Sequence, residues 1–179
     1  MAFLIPSRAL SAVLLGILSA AIGPAQTFNE YQVKAAFLYS FAKFVEWPPQ
    51  TFSSRSAPMA ICVLGEDPFG NFLDDAVRGK TVNDRQLTVH RLPYLPSLPE
   101  CKILFVAASE RRQMSAVLAA VSAPGLLTVG DTPEFTAQGG VIGLRLDGER
   151  IRLTVNLAAA EKANVRISSR VLSLATLVK

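Results

Sequence analysis

The side chains able to do chemistry are few and scattered. His90 is the one histidine of the chain. It has no second imidazole or neighbouring thiol and carboxylate to complete a metal set, so it reads as a structural or surface residue. No Gly-x-Ser-x-Gly elbow is present. Gly79-Lys80-Thr81 lacks the glycine spacing of a phosphate loop, and Gly65 and Gly70 frame one turn without making a dinucleotide fingerprint. Two carboxylates stand out by place. Asp67 and Asp131 both follow apolar runs that read as strands, and ligands gather at such strand ends in open α/β folds. Together with Gly65 they form a candidate polar site, although helix capping accounts for them more simply. Nothing here is a catalytic set. The reading is of a protein that is not an enzyme and needs no metal or cofactor.

The elements that would position these residues follow from hydropathy. Residues 30–48, EYQVKAAFLYSFAKFVEWP, carry Val33, Phe37, Phe41, Phe44 and Val45 at helical spacing. Glu30, Lys34, Lys43 and Glu46 are placed in water or at its border. Thr27 with Glu30, or Asn29 with Gln32, offers a capping box, and Pro48 and Pro49 stop the helix. Met59–Leu64 is a continuous apolar run, as in a strand covered on both faces. Asp67 and Pro68 then suit the start of a helix that carries Phe69, Phe72, Leu73, Ala76 and Val77.

Residues 86–92 alternate as a second strand, and the three prolines of 93–99 impose an extended loop. Residues 101–107, CKILFVA, form a buried strand, and Ser109 caps a helix through Val121. Residues 126–129 make a further strand. Residues 141–146 and 151–155 alternate on either side of Asp147-Gly148, the strongest hairpin signal in the chain. Asn156 caps residues 157–163. A last helix places Ile167, Val171, Leu174, Ala175 and Val178 on one side. Strands alternating with helices up to a terminal hairpin predict an α/β layered sandwich. Its sheet is largely parallel with a C-terminal antiparallel hairpin, and helices lie on both faces.

Residues 1–25 read as a cleaved signal peptide. Arg8 is its one charge, residues 9–22 are apolar, and Gly23 and Ala25 supply the small residues before the cut. The run is short for a membrane span, which takes roughly 20 apolar residues. Residues 26–179 then form a single domain. Without Arg8 the chain keeps 17 basic and 14 acidic side chains, a formal charge of +3. That mild excess, with no block of like charge, gives no nucleic-acid footprint. In an exported chain the two cysteines, Cys62 and Cys101, favour a disulfide over two buried thiols. Each lies in or at the start of an apolar strand-like run, and the absence of Cys-x-x-Cys argues against a catalytic dithiol.

The segments above, taken in order and spacing, resemble the YfiR-like family of exported bacterial proteins. The resemblance rests on residues 30–48, CVLGEDPFG from Cys62, GKTVNDRQLTVHRL from Gly79, CKILFVAASE from Cys101, LLTVGD from Leu126, and the long run GGVIGLRLDGERIRLTVNLAAAEKANVRISSRVLSLA from Gly139. It implies a small α/β homodimer in the periplasm. Such a protein binds the periplasmic sensor domain of an inner-membrane diguanylate cyclase and represses it, which lowers biofilm output. An outer-membrane lipoprotein is an implied second partner. The family's paired cysteines fall on Cys62 and Cys101, and a second pair carried by some members is absent. Tyr31, Tyr39 and Trp47 on the first helix, and Leu172 and Leu177 on the last, are the candidate interaction surface, although core or dimer packing accounts for each of them more simply. The alternative is a soluble periplasmic small-molecule receptor with its pocket at Gly65, Asp67 and Asp131.

Overall fold

The computed structural model describes residues 29–95 and 101–178. The signal-peptide reading of 1–25, the Thr27 cap and part of the 93–99 loop fall outside them. Helix α1 (Glu30–Phe44) opens with Asn29, whose side chain accepts from the Gln32 amide. Its buried face is Lys34, Ala35, Leu38, Phe41 and Ala42. Val33, Phe37 and Phe44, read as the core stripe, are half-buried margins. The helix also ends before Pro48. Val45 is already extended and, with Glu46, forms β1 (Val45–Glu46), paired antiparallel with β9 (Arg166–Ile167).

Among the described residues the main sheet has eight strands. They are β2 (Met59–Leu64), β3 (Thr81–Val82), β4 (Arg85–Leu92), β5 (Cys101–Val106), β6 (Leu127–Gly130), β7 (Ile142–Asp147), β8 (Arg150–Asn156) and β10 (Ala175–Val178), in the order β10-β8-β7-β6-β5-β2-β4-β3. Among the described strands of this sheet, only the β7–β8 hairpin and the β3–β4 pair are antiparallel. Strands β2, β5 and β6 are buried at every position, as central parallel strands must be when both faces are covered.

Alternation along these strands separates two layers of core. On one face Ile61, Val63, Ile103, Phe105, Val129, Ile142 and Leu144 pack with Leu38 and Phe41 of α1 and Leu73 of α2 (Phe72–Val77). On the other, Cys62, Leu64, Leu104 and Val106 pack with Met114, Val117 and Leu118 of α3 (Met114–Ala120) and with Phe135. The expected layered α/β sandwich is therefore present, with helices on both faces.

Three local readings change. The helix after Asp67 starts later, at Phe72, because Asp67 closes a turn on the Phe69 amide instead. Residues 108–113 are 3-10 helix before α3, and Ser109 caps nothing there; its hydroxyl accepts from the Glu66 amide across the sheet end. The predicted last helix is not one element. Helix α4 (Leu157–Lys162), capped by Asn156 as expected, leads to β9, to one turn of α5 (Ser169–Leu172), and then to β10, which runs parallel to β8. The helical spacing of Ile167, Val171 and Ala175 arises from a strand, a turn and a strand that each face the same core, whereas Leu174, expected on the same side, is exposed in the turn before β10.

Candidate functional site

The C-terminal ends of the parallel strands hold two groups of paired charges. The first joins the start of α1 to the residue after β6. Lys34 is only 1% exposed, and its ammonium donates to Glu30 Oε1 and, at 2.7 Å, to Asp131 Oδ2. The Tyr31 hydroxyl donates to the same Asp131 oxygen at 3.1 Å, and the Lys34 ammonium lies 4.5 Å from the Tyr31 ring centre. Burial, and then the Asp131 carboxylate, hold the Tyr31 phenol well above its ordinary value. The ring is fixed edge-on to Phe69, which is edge-on to Phe105. Asp131 Oδ1 is buried and receives no hydrogen bond among the described residues.

Lys34, expected at the water border, is buried instead, because carboxylates meet its ammonium and so permit a lysine to leave water. The available signals were the i,i+4 spacing from Glu30 and the aspartate at a strand end. Asp131, read as a helix cap, spends one carboxylate oxygen on Lys34 and Tyr31.

The second group lies on β4 and α2. Arg91 donates to Asp67 Oδ2 at 2.6 Å, to the Gly70 carbonyl at 2.9 Å and to both oxygens of Asp74. Asp74 is held below the usual carboxylate range, chiefly by its hydrogen bond from Arg91. The Arg91 guanidinium is raised in turn, by Asp74 first and Asp67 second. Arg91 thereby clamps the turn after β2. Gly65 belongs to that turn at φ +90, and a side chain there would collide with Ser109 and Glu110.

Asp67 and Asp131 thus have different cationic partners, and each is already paired. Arg91 and Lys34 each tie distant segments together through these charged contacts. Two open cavities, of about 620 Å³ and 550 Å³, are lined by other residues. No group of three metal-ligating side chains occurs among the described residues.

A family model described as YfiR/HmsC-like matches residues 31–176. The chain belongs to the YfiR/HmsC-like family. No curated protein matches it.

In this YfiR/HmsC-like chain Cys62 and Cys101 are joined as a disulfide between neighbouring strands β2 and β5, with Cα atoms 5.8 Å apart. The residues named for an interaction surface have different surroundings. Tyr31 belongs to the Lys34–Asp131 group. Tyr39 is half-buried beneath the Lys43 ammonium. Trp47 lines the 550 Å³ cavity with Leu157 and Ile167, and its indole N–H is buried without a partner among the described residues. Leu172 is half-buried against the core. Leu177, on β10, is 49% exposed, and nearby Leu174 is 71% exposed. No helix among the described residues is long and apolar enough to cross a membrane.

Proposed function

We propose that this protein is a periplasmic regulatory binding protein that represses a membrane-bound diguanylate cyclase by binding the cyclase's periplasmic sensor domain. Residues 1–25 direct export and are removed, and 26–179 act as one domain and as a homodimer. The family match over residues 31–176 carries this reading. The Cys62–Cys101 bridge supports it, because such bonds persist in oxidising compartments. The paired state of Asp67, Asp131, Lys34 and Arg91 agrees with a binding role more than a catalytic one.

Repression from outside the membrane is a coupling free energy between two states of the cyclase. The protein must bind the inactive state more tightly, by several kcal/mol if it is to move the population from mostly active to mostly inactive. An outer-membrane lipoprotein that competes for the protein would relieve the repression.

Cellular cyclic-di-GMP tests this in the native host, with the gene deleted and then restored from a plasmid. A rise on deletion that reverses on restoration is expected. An unchanged level in a host shown to express the protein overturns the reading.

A further inference from the structure

Residues 113–130 contain no charged side chain. Helix α3 lies within them, and its neighbour α4 buries only Ala160. The two helices leave a cavity of about 620 Å³ between them. Its floor is Leu118, Val121, Leu126 and Val141, all buried. Leu126 and Val141 precede the parallel strands β6 and β7, whereas Asp131 follows β6. The cavity therefore lies at the end of the sheet opposite the Lys34–Asp131 group. Its volume is within the range of about 300–1,000 Å³ that small-molecule sites occupy.

The lining restricts what can enter. Among the described residues no aromatic ring lines the cavity, so a flat ring has no stacking partner. The inner polar side chains are turned to backbone partners. Thr128 Oγ1 accepts from the Val141 amide. Asn156 Oδ1 accepts from the Ala159 amide, and its Nδ2 donates to the Thr136 carbonyl. A sugar or a peptide would bury its own polar groups there with few partners, which is unfavourable. A saturated chain has no polar group to lose and gains by leaving water. Lys162 is the one ionisable residue of the lining. It is exposed, and it meets no carboxylate among the described residues. A lone cation beside an apolar floor complements a molecule with one apolar chain and one anionic head.

We propose that the cavity between α3 and α4 binds a free medium-chain fatty acid. Its chain lies over Leu118, Val121, Leu126 and Val141, and its carboxylate meets the Lys162 ammonium. The chain supplies affinity through burial, and the lysine fixes which end stays at the surface. Nothing in this site depends on which protein is regulated.

The probes are hexanoate, octanoate and decanoate as monomers, titrated by calorimetry into the disulfide-bonded exported chain. Binding is expected to tighten about fourfold for each added methylene, until the cavity is full. Octanoate is expected to bind more tightly than octanol. Lys162→Gln should weaken octanoate about fivefold and leave octanol unchanged. Ala119→Phe, which fills the cavity from α3, should abolish binding, with urea unfolding as the check that it folds. The chain-length series needs no variant. No binding by any of the three acids, affinity that does not rise with length, or octanol binding as well as octanoate overturns the proposal. A folded Ala119→Phe that binds like the parent also overturns it. So does sedimentation showing a dimer that Ala119→Phe dissociates, since a second copy then fills the cavity. Binding to phosphatidylglycerol vesicles without binding of free acid assigns the face to a membrane and likewise overturns it. None of these readouts involves a cyclase, so a failure here is distinguishable from a failure of the repression reading.

Discussion

The Lys34 ammonium lies 2.7 Å from an Asp131 carboxylate oxygen, although the two residues are 97 positions apart in the chain. Their side chains are 1% and 5% exposed. The pair ties the first turn of α1 to the end of β6, and so fixes the helix against the strand-end surface of the sheet.

Removing one member of a buried pair leaves the other charge unpaired, at a cost of about 3–5 kcal/mol. Lys34→Met is therefore expected to lower unfolding free energy by about 3 kcal/mol in urea titrations. Adding Asp131→Leu is expected to recover part of that loss, because no buried charge is then stranded opposite. A double variant as unstable as the sum of the two singles would mean that the pair contributes nothing as a pair.

The raised Tyr31 phenol makes a second prediction. A group raised in the folded state contributes stability that is full below its unfolded value of 10.0 and is lost as pH rises through the higher folded value. In an alkaline absorbance titration, one of the three tyrosines should resist ionisation beyond pH 10.0. Tyr31→Phe should remove that resistant step. Losing the hydrogen bond to a charged acceptor should also cost about 1.5 kcal/mol.

Asp74 has the opposite sign. Its carboxyl is lowered from 3.8, mainly by Arg91. Its contribution is therefore full above 3.8 and is lost as pH falls through the depressed folded value. Asp74→Asn should flatten the acid limb of the stability curve while leaving the slope near neutral pH unchanged. Exposure of the pair keeps the effect small. Denaturation series across the acid range would measure it.

Replacing both bridged cysteines with alanine should destabilise the chain by about 4 kcal/mol on the chain-entropy model, given a separation of 39 residues. Urea midpoints of the variant and the parent, in the absence of reductant, give the difference. A loss well below this would mean that the unfolded chain is already compact around the bridge.

How far the sequence reveals the fold depends on how local the signals are. Met59–Leu64 and Cys101–Val106 are legible because a central parallel strand is apolar at every position, and the β7–β8 hairpin because Asp-Gly states its turn. The C-terminus misleads. Ile167, Val171 and Ala175 keep helical spacing while belonging to three different elements that cover one core. The site is less legible still. Asp67 and Asp131 are visible as strand-end acids, but their partners Arg91 and Lys34 come from distant segments, and charge alone places a lysine outside. Arg145 and Arg152 look like ordinary surface residues until the hairpin register sets them face to face.

The bridge between Cys62 and Cys101 also closes part of the chain into a covalent ring. Inside that ring lie the turn clamped by Arg91, the helix α2, and the strands β3 and β4. A protease that cuts once within the ring, for example beside the exposed Tyr94, opens a loop without releasing a fragment. The two halves stay tethered across the middle of the sheet for as long as the surroundings stay oxidising. After such a cut, covalent separation of the two halves requires reduction of the bridge as well.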